Sequence, residues 1–167
     1  IWHWIGQVNE LFWMVEQPDL VRDMFDAFAQ LVIDIYEGFK AKGFQFDGVF
    51  MADDLGYRNA TLISPTMYRE LVLPVHQRIC DHMAEDGLAV TLHSDGDIRE
   101  LIPMFIEAGF RGLHPLEAKA NVDVRDMKGR YGDQLVMLGG IDVRELSTTK
   151  EAIEEEIRSK ITVAKQG

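Results

Sequence analysis

The sequence predicts an α/β fold built around a parallel β-sheet. Four times along the chain, a short apolar run is followed by a segment with helical periodicity. This alternation is the order of a parallel sheet whose strands are joined by right-handed helical crossovers. The apolar runs are also nearly continuous, which is typical of strands that are covered on both faces. Both observations favour helices packed around a central parallel sheet.

The first part of the chain predicts a long helix. Residues 1–6 are short and aromatic, and we interpret them as the end of a strand. From Asp19 onward, large apolar residues recur at the spacing of one helix face. Gly43 is the expected end of this helix, because glycine readily adopts the left-handed conformation found at helix C-termini.

One strand and a second helix come next. The apolar run within 47–52 predicts the first strand of the sheet. Ser64 and Pro65 then mark a helix start, since serine caps free backbone N–H groups and proline fits the first helical turn. Pro74 lies inside that helix and is expected to kink or split it.

The second half of the chain repeats the strand–helix order three times. Three further strands are predicted at 88–92, 110–113 and 135–138. Asp97 with Glu100, and Thr148 with Glu151, have the spacing of capping boxes. They are expected to begin the helices that follow the second and the fourth strand.

The composition limits the functions that this chain can have. Its 167 residues carry a formal net charge of −11. Nucleic acids and anionic membrane surfaces are therefore not expected partners, because both attract cationic proteins. No apolar run approaches the roughly 20 residues that cross a bilayer. Cys80 is the single cysteine, so an internal disulfide and a metal site made only of cysteines are excluded, and we expect a cytoplasmic protein.

Ionisable residues follow the end of every predicted strand. In chain order they are Asp53 and Asp54, then His93, Asp95 and Asp97, then His114 and Glu117, and finally Asp142. Ligands of parallel α/β folds bind beyond the carboxyl ends of the strands. We therefore expect these side chains to line one shared site.

Two kinds of chemistry suit such a site. His93, Asp95 and Asp54 are the candidate catalytic residues, with His93 and Asp95 serving as an acid/base pair in one alternative. In the other alternative, His93 and Asp95 bind Zn²⁺ and leave a coordination position open for the substrate. The candidate substrate-binding residues are Asp53, His114, Glu117, Gly140 and Asp142.

Several of these residues also have simpler interpretations. Asp97 is most simply a helix cap, and Asp142 serves equally well as a turn or cap residue. Gly140 either lets a ligand approach the backbone or permits a tight turn. His76 lies within a helical pattern, and we interpret it as a surface residue.

Five segments together resemble one enzyme superfamily. They are 53–56 (Asp-Asp-Leu-Gly), 62–65 (Leu-Ile-Ser-Pro), 93–98 (His-Ser-Asp-Gly-Asp-Ile), 106–109 (Ile-Glu-Ala-Gly) and 138–142 (Leu-Gly-Gly-Ile-Asp). Their order and spacing resemble the uroporphyrinogen decarboxylase superfamily, over about residues 1–165. That superfamily comprises the haem-pathway decarboxylase and methyltransferases that move methyl groups to and from corrinoid proteins.

The resemblance implies a (β/α)₈ TIM barrel, a fold that typically needs about 250 residues. The strand candidates here amount to only about four to five βα units. We therefore expect residues 1–167 to form the central to C-terminal part of one barrel domain. A partial barrel has sheet edges that must pair or be covered, so a homo-oligomer is one expectation.

Departures from the family motifs help to distinguish the methyltransferase branch of the superfamily from the decarboxylase branch. The methyltransferases commonly have His-x-Cys-Gly where this chain has residues 93–96. His93 thus matches a zinc ligand, while Asp95 replaces a thiolate with an oxygen ligand, which zinc also accepts. Relative to the decarboxylase, Asp54 stands where a serine is usual and Gly140 where an asparagine is usual. An acidic site is also a poor host for the many carboxylates of a tetrapyrrole.

The resemblance therefore implies three alternatives. The leading one is a cobalamin-linked methyltransferase that uses zinc, acts on a small molecule and works with a corrinoid protein. The second is uroporphyrinogen III decarboxylase of porphyrin biosynthesis, with a tetrapyrrole substrate and no cofactor. The third is a barrel fragment without catalytic activity.

Overall fold

A computed structural model describes residues 2–165 of the chain, with side chains from residue 4 onward. Within that range, the helices are α1 (Trp2–Ile5), α2 (Gln7–Glu16), α3 (Pro18–Lys40), α4 (Pro65–Met67), α5 (Leu73–Glu85), α6 (Ile102–Glu107), α7 (Val124–Tyr131) and α8 (Lys150–Ala164). The strands are β1 (Val49–Ala52), β2 (Val90–His93), β3 (Gly112–His114) and β4 (Val136–Met137).

The four strands form one parallel sheet in the order β1-β2-β3-β4. Each strand therefore pairs with the next strand along the chain, and helices connect them across one face. This is the winding of a (β/α)₈ barrel, of which four strands make up part of the ring. The predicted α/β class and the partial TIM barrel are both confirmed.

The two faces of the sheet have different environments. Val90, Leu92 and Leu113 point toward the helices and are buried. On the inner face, Phe50 is 59% exposed and Val136 is 66% exposed, because four strands curve through only part of a barrel. Side chains alternate between these faces along each strand, so the face that a strand-end residue occupies depends on its register.

The core lies between the sheet and the helices. Its largest fully buried side chains include Tyr68, Ile79, Met83, Leu92 and Phe105. Helix α3 packs along α5 on the outside of the sheet, and both present apolar side chains inward. None of the helices in the described range is long and apolar enough to cross a membrane.

Three helices end in the same glycine motif. After α3, Gly43 has φ +85° and its N–H donates to the carbonyl of Lys40, while Phe44 N–H donates to the carbonyl of Phe39. Gly87 and Gly109 end α5 and α6 with the same pair of bonds. These are Schellman motifs, in which a left-handed glycine satisfies the last carbonyls of the helix. The predicted helix end at Gly43 is confirmed.

The helix that starts at Pro65 is interrupted, as Pro74 predicted. Ser64 Oγ accepts a hydrogen bond from Met67 N–H at 3.1 Å, which caps α4. Residues Tyr68–Val72 then widen into a π-helical segment before α5 begins at Leu73. Because Pro74 has no N–H to donate, the regular hydrogen-bond ladder cannot run through this point.

Three local predictions were wrong. Residues 2–5 are helical rather than extended. Asp97 forms no capping box with Glu100, because its carboxylate binds the backbone and guanidinium of Arg99, and α6 starts only at Ile102. At α8 the capping residue is Thr149, which accepts from Ala152 N–H. Arg99 thus occupies the Asp97 carboxylate, and the cap of α8 lies one residue later than predicted.

Candidate metal centre

Asp54, His93 and Asp95 meet beyond the ends of the first two strands. His93 is the last residue of β2 and points to the inner face in register with Ala52. Its Nε2 lies 3.5 Å from Asp54 Oδ1 and 3.8 Å from Asp95 Oδ2. The three side chains offer ligand atoms that all lie within 4.8 Å of one another. These three residues form a candidate metal site, which we call the metal centre.

Backbone hydrogen bonds tie the two acidic loops together. Asp53 N–H donates to the carbonyl of His93 at 2.9 Å. Asp95 N–H donates to Asp54 Oδ1 at 3.1 Å. Leu55 N–H donates to Ser94 Oγ at 2.9 Å, and Ser94 is buried. The two carboxylates are therefore held beside His93 by the strand ends themselves, and Ser94 is a structural partner that sequence reasoning missed.

His114 contacts the second nitrogen of His93. The two residues are in register on β3 and β2, and their Nδ1 atoms lie 2.7 Å apart. Only one proton fits between two nitrogens at this distance, so one ring donates and the other accepts. When His93 donates from Nδ1, its Nε2 faces the carboxylates with a free lone pair. This tautomer is the one that a metal ligand requires.

The donor set fits a divalent metal ion. Ligand atoms about 2.0–2.2 Å from a tetrahedral zinc lie about 3.3–3.6 Å from one another. The distances of 3.5 and 3.8 Å from His93 to the two carboxylates approach that spacing. Within the described part of the chain, no lysine or arginine forms an ion pair with Asp54 or Asp95, so the acidic charge is free to bind a cation. One histidine and two carboxylates also leave a coordination position open.

Asp53 faces the helices instead of the metal centre. Its Oδ2 lies 3.2 Å from Nε2 of His76, which is only 3% exposed. The Nδ1 of His76 is 2.9 Å from the hydroxyl of Tyr68, whose pKa is raised by burial. The interpretation of His76 as a surface residue was therefore wrong. Neighbouring residues of an extended segment point to opposite sides, which separates Asp53 from Asp54.

Glu117 reaches back from the third strand end toward the second. Its Oε2 accepts a hydrogen bond from Gly96 N–H at 2.7 Å, and its Oε1 pairs with Lys119 Nζ at 2.5 Å. Glu117 therefore lies next to the loop that carries Asp95. The structure brings these two sequence-predicted residues to the same side of the sheet.

Asp142 belongs to a charge-paired cluster at the end of β4, and with Gly140 it lines a cavity of about 250 Å³ that Asp95 and Glu117 also line. Two hydrogen bonds from the Arg144 guanidinium lower the pKa of Asp142 to about 2. Asp142 N–H donates to Glu156 at 2.6 Å, and Lys160 Nζ donates to the carbonyl of Gly140 at 2.6 Å. Lys160 also pairs with Glu156 at 2.5 Å. We call Asp142, Arg144, Glu156 and Lys160 the β4 cluster.

A parallel sheet in which each strand pairs with the next along the chain is part of a TIM barrel, a fold whose ligands bind beyond the carboxyl ends of the strands. The family model for uroporphyrinogen decarboxylase (URO-D) matches residues 6–167. This chain therefore belongs to the uroporphyrinogen decarboxylase family.

Two known proteins are similar to this chain. A methylated-thiol–coenzyme M methyltransferase of Methanosarcina mazei is 27% identical over 144 residues, which are 86% of this chain and 36% of that protein. The solved structure of a methyltransferase from Methanosarcina mazei has a TM-score of 0.70 at 19% identity, over 95% of this chain and 44% of that one. The second likeness shows the fold alone. The chain spans less than half the length of either relative.

Proposed function

We propose that this protein is a metal-dependent methyltransferase in which Asp54, His93 and Asp95 bind zinc. The metal centre carries this proposal, because it joins a histidine and two carboxylates without a cationic partner from the described residues. The curated relative is named as a methyltransferase that acts on a methylated thiol and coenzyme M. A thiol is therefore the proposed methyl acceptor, and a corrinoid protein is the proposed methyl donor.

Each polar residue near the centre has a proposed role. Bound zinc would supply a Lewis acid that favours the thiolate form of the acceptor. His114 holds His93 in the tautomer that leaves Nε2 free. Glu117 fixes the loop that carries Asp95 through its bond to Gly96. Asp53 and its partner His76 hold the start of the Asp54 loop against the helices.

The alternative of a uroporphyrinogen decarboxylase fits the charges less well. Its substrate carries many carboxylates, and a metal-free centre with Asp54 and Asp95 would repel them. The full-length protein can be tested directly by incubation with uroporphyrinogen. Formation of coproporphyrinogen would favour the decarboxylase over the methyltransferase.

The deciding experiment measures metal content and methyl transfer together. We expect about one zinc for each full-length chain, and transfer of a methyl group from methylcobalamin to a thiol. His93→Ala is expected to lose the metal and the activity, since it removes the nitrogen ligand. His82→Ala is the matched control, because His82 pairs with Glu37 on the helical face. Metal-free wild-type protein, or unchanged methyl transfer in His93→Ala, would reject the zinc role.

A further inference from the structure

A rigid turn projects from the first strand end beside the metal centre. Tyr57 N–H donates to the carbonyl of Ala60 at 2.7 Å, and Leu62 N–H donates to the carbonyl of Leu55 at 2.8 Å. These bonds close residues 55–62 into a hairpin, which we call the 55–62 turn. Arg58 lies at its tip, between the two residues that share the first of these bonds.

The 55–62 turn is clamped onto the loop that carries Asp95. Asp97 N–H donates to the carbonyl of Tyr57 at 2.6 Å. Gly56 packs directly on this loop, since a Cβ at Gly56 would lie 2.3 Å from the carbonyl oxygen of Asp95. Gly96 has φ +84° and faces Gly56 equally closely. The backbone that positions Arg58 is therefore fixed relative to a metal-centre residue.

Arg58 lines a cavity that borders the metal centre. The cavity has a volume of about 560 Å³, within the usual range for small-molecule sites. Its walls include three cationic side chains and two carboxylates, namely Arg58, Lys119, Arg144, Asp95 and Glu117. In a chain with a net charge of −11, three cations around one cavity are a local exception.

The three cations differ in how they are paired. Lys119 is bound by Glu117, and Arg144 is bound by Asp142. Arg58 forms no side-chain hydrogen bond or ion pair within residues 2–165. An arginine held on a rigid turn presents a planar fork of donors, which matches the two oxygens of a carboxylate, sulfonate or phosphate group.

We propose that Arg58 binds an anionic group of the small-molecule substrate in this cavity. This proposal rests on the proposed function only in taking the metal centre as the reacting end of the site. Asp95 lines the cavity and also belongs to the metal centre, so a substrate held at Arg58 lies beside one of the three proposed metal ligands. The substrate class is a small organic anion, and Arg58 selects it against neutral molecules of the same size.

The test titrates the full-length protein calorimetrically with propane-1-sulfonate, butyrate and propyl phosphate, and with neutral butan-1-ol. Comparison of the three anions shows whether the site prefers a sulfonate, a carboxylate or a phosphate group. All titrations are run with and without added zinc. We expect at least one anion to bind and butan-1-ol not to bind. Arg58→Gln should weaken anion binding about 10–100-fold, which is the affinity usually lost with one hydrogen bond to a charged group.

Two further variants make the result specific to Arg58. Arg58→Lys keeps the charge and should recover part of the affinity. Arg22→Gln is the control, because Arg22 pairs with Asp19 on α3 and should leave binding unchanged. Equal anion affinity in wild type and Arg58→Gln, absence of anion binding in wild type, or equal binding of butan-1-ol would overturn the proposal. If the protein binds the anion through Arg58 but holds no zinc, the result supports the Arg58 site and rejects the proposed zinc site.

Discussion

The metal centre and the β4 cluster both lie at strand ends, but they balance their charges in opposite ways. The metal centre places Asp54 and Asp95 beside one histidine, without a lysine or arginine from the described residues. The β4 cluster instead pairs each of its two acids with a cation, Asp142 with Arg144 and Glu156 with Lys160.

This difference leaves the metal centre with unbalanced negative charge, whereas the charges of the β4 cluster balance one another. Paired charges at close range satisfy one another and leave little capacity for a ligand. Acidic groups held together without a cation repel one another, so they are suited to bind a positive ion. An ionisable residue after a strand is therefore an ambiguous signal until its partners are known.

Lys160→Met should give the largest change in stability and leave the metal centre intact. Lys160 is 4% exposed, and its removal leaves Glu156, whose side chain is 12% exposed, without its cation. Breaking a buried ion pair in this way typically costs about 3–5 kcal/mol of unfolding free energy. Denaturant unfolding would measure that loss, while zinc affinity should remain within about twofold of wild type.

The control for Lys160→Met is Lys165→Met, which alters an exposed lysine just after α8. It should change the unfolding free energy by less than about 0.5 kcal/mol. The opposite pattern, with normal stability and weakened zinc binding in Lys160→Met, would show that the two clusters act as one site.

The sheet and its strand ends were predictable from the sequence because local signals specify them. Continuous apolar runs marked the strands, and Gly43 marked a helix end through its backbone freedom. These signals act within a few residues of one another. The predicted grouping of Asp54, His93 and Asp95 followed from the parallel order, which brings strand ends to one side.

The partners of the strand-end residues were not predictable in this way. Asp53 and Asp54 are adjacent, yet one binds buried His76 and the other faces His93. The apolar run does not specify which residue points inward, since both faces of the strand are apolar. Asp142 likewise binds Arg144 within a tight turn, and Lys160 reaches its loop from a helix near the chain end. Such contacts depend on how the strands and helices are positioned against one another in the folded chain, which the local sequence does not specify.

His114→Ala should weaken the metal centre without disturbing the fold. The Nδ1–Nδ1 contact of 2.7 Å is the hydrogen bond that orients His93. Loss of such a partner typically lowers metal affinity about 10–100-fold. Zinc titration would measure the loss, and the absorption spectrum of the cobalt-substituted protein would report the altered geometry.

His114→Gln is the conservative companion of this variant. Its amide oxygen can accept the proton of His93 Nδ1, so it should recover part of the affinity and the wild-type spectrum. Unfolding free energy should stay close to wild type in both variants, because His114 is only partly buried. Equal zinc affinity in His114→Ala and wild type would show that His114 does not orient His93 for metal binding.

The smallest expected effect concerns acid stability in the β4 cluster. Arg144 lowers the pKa of Asp142 to about 2 in the folded chain, below the value of about 3.9 for an unfolded aspartate. A lowered folded pKa contributes stability above about pH 4, and that contribution disappears as the pH falls toward 2. Because the Arg144 side chain is 63% exposed, solvent screens the pair and the contribution should stay below about 1 kcal/mol.

Arg144→Gln should therefore lower the unfolding free energy slightly at pH 7, and its difference from wild type should shrink between pH 5 and pH 3. Urea unfolding at pH 7, 5, 4 and 3 would follow that change. Arg130→Gln is the matched control, since Arg130 pairs with Asp126 one turn away on α7, and its loss should cost no more than about 0.5 kcal/mol. A difference for Arg144→Gln that stays constant from pH 7 to pH 3 would mean that Asp142 gains nothing from its ion pair. The β4 cluster would then depend on Lys160 and Glu156 alone.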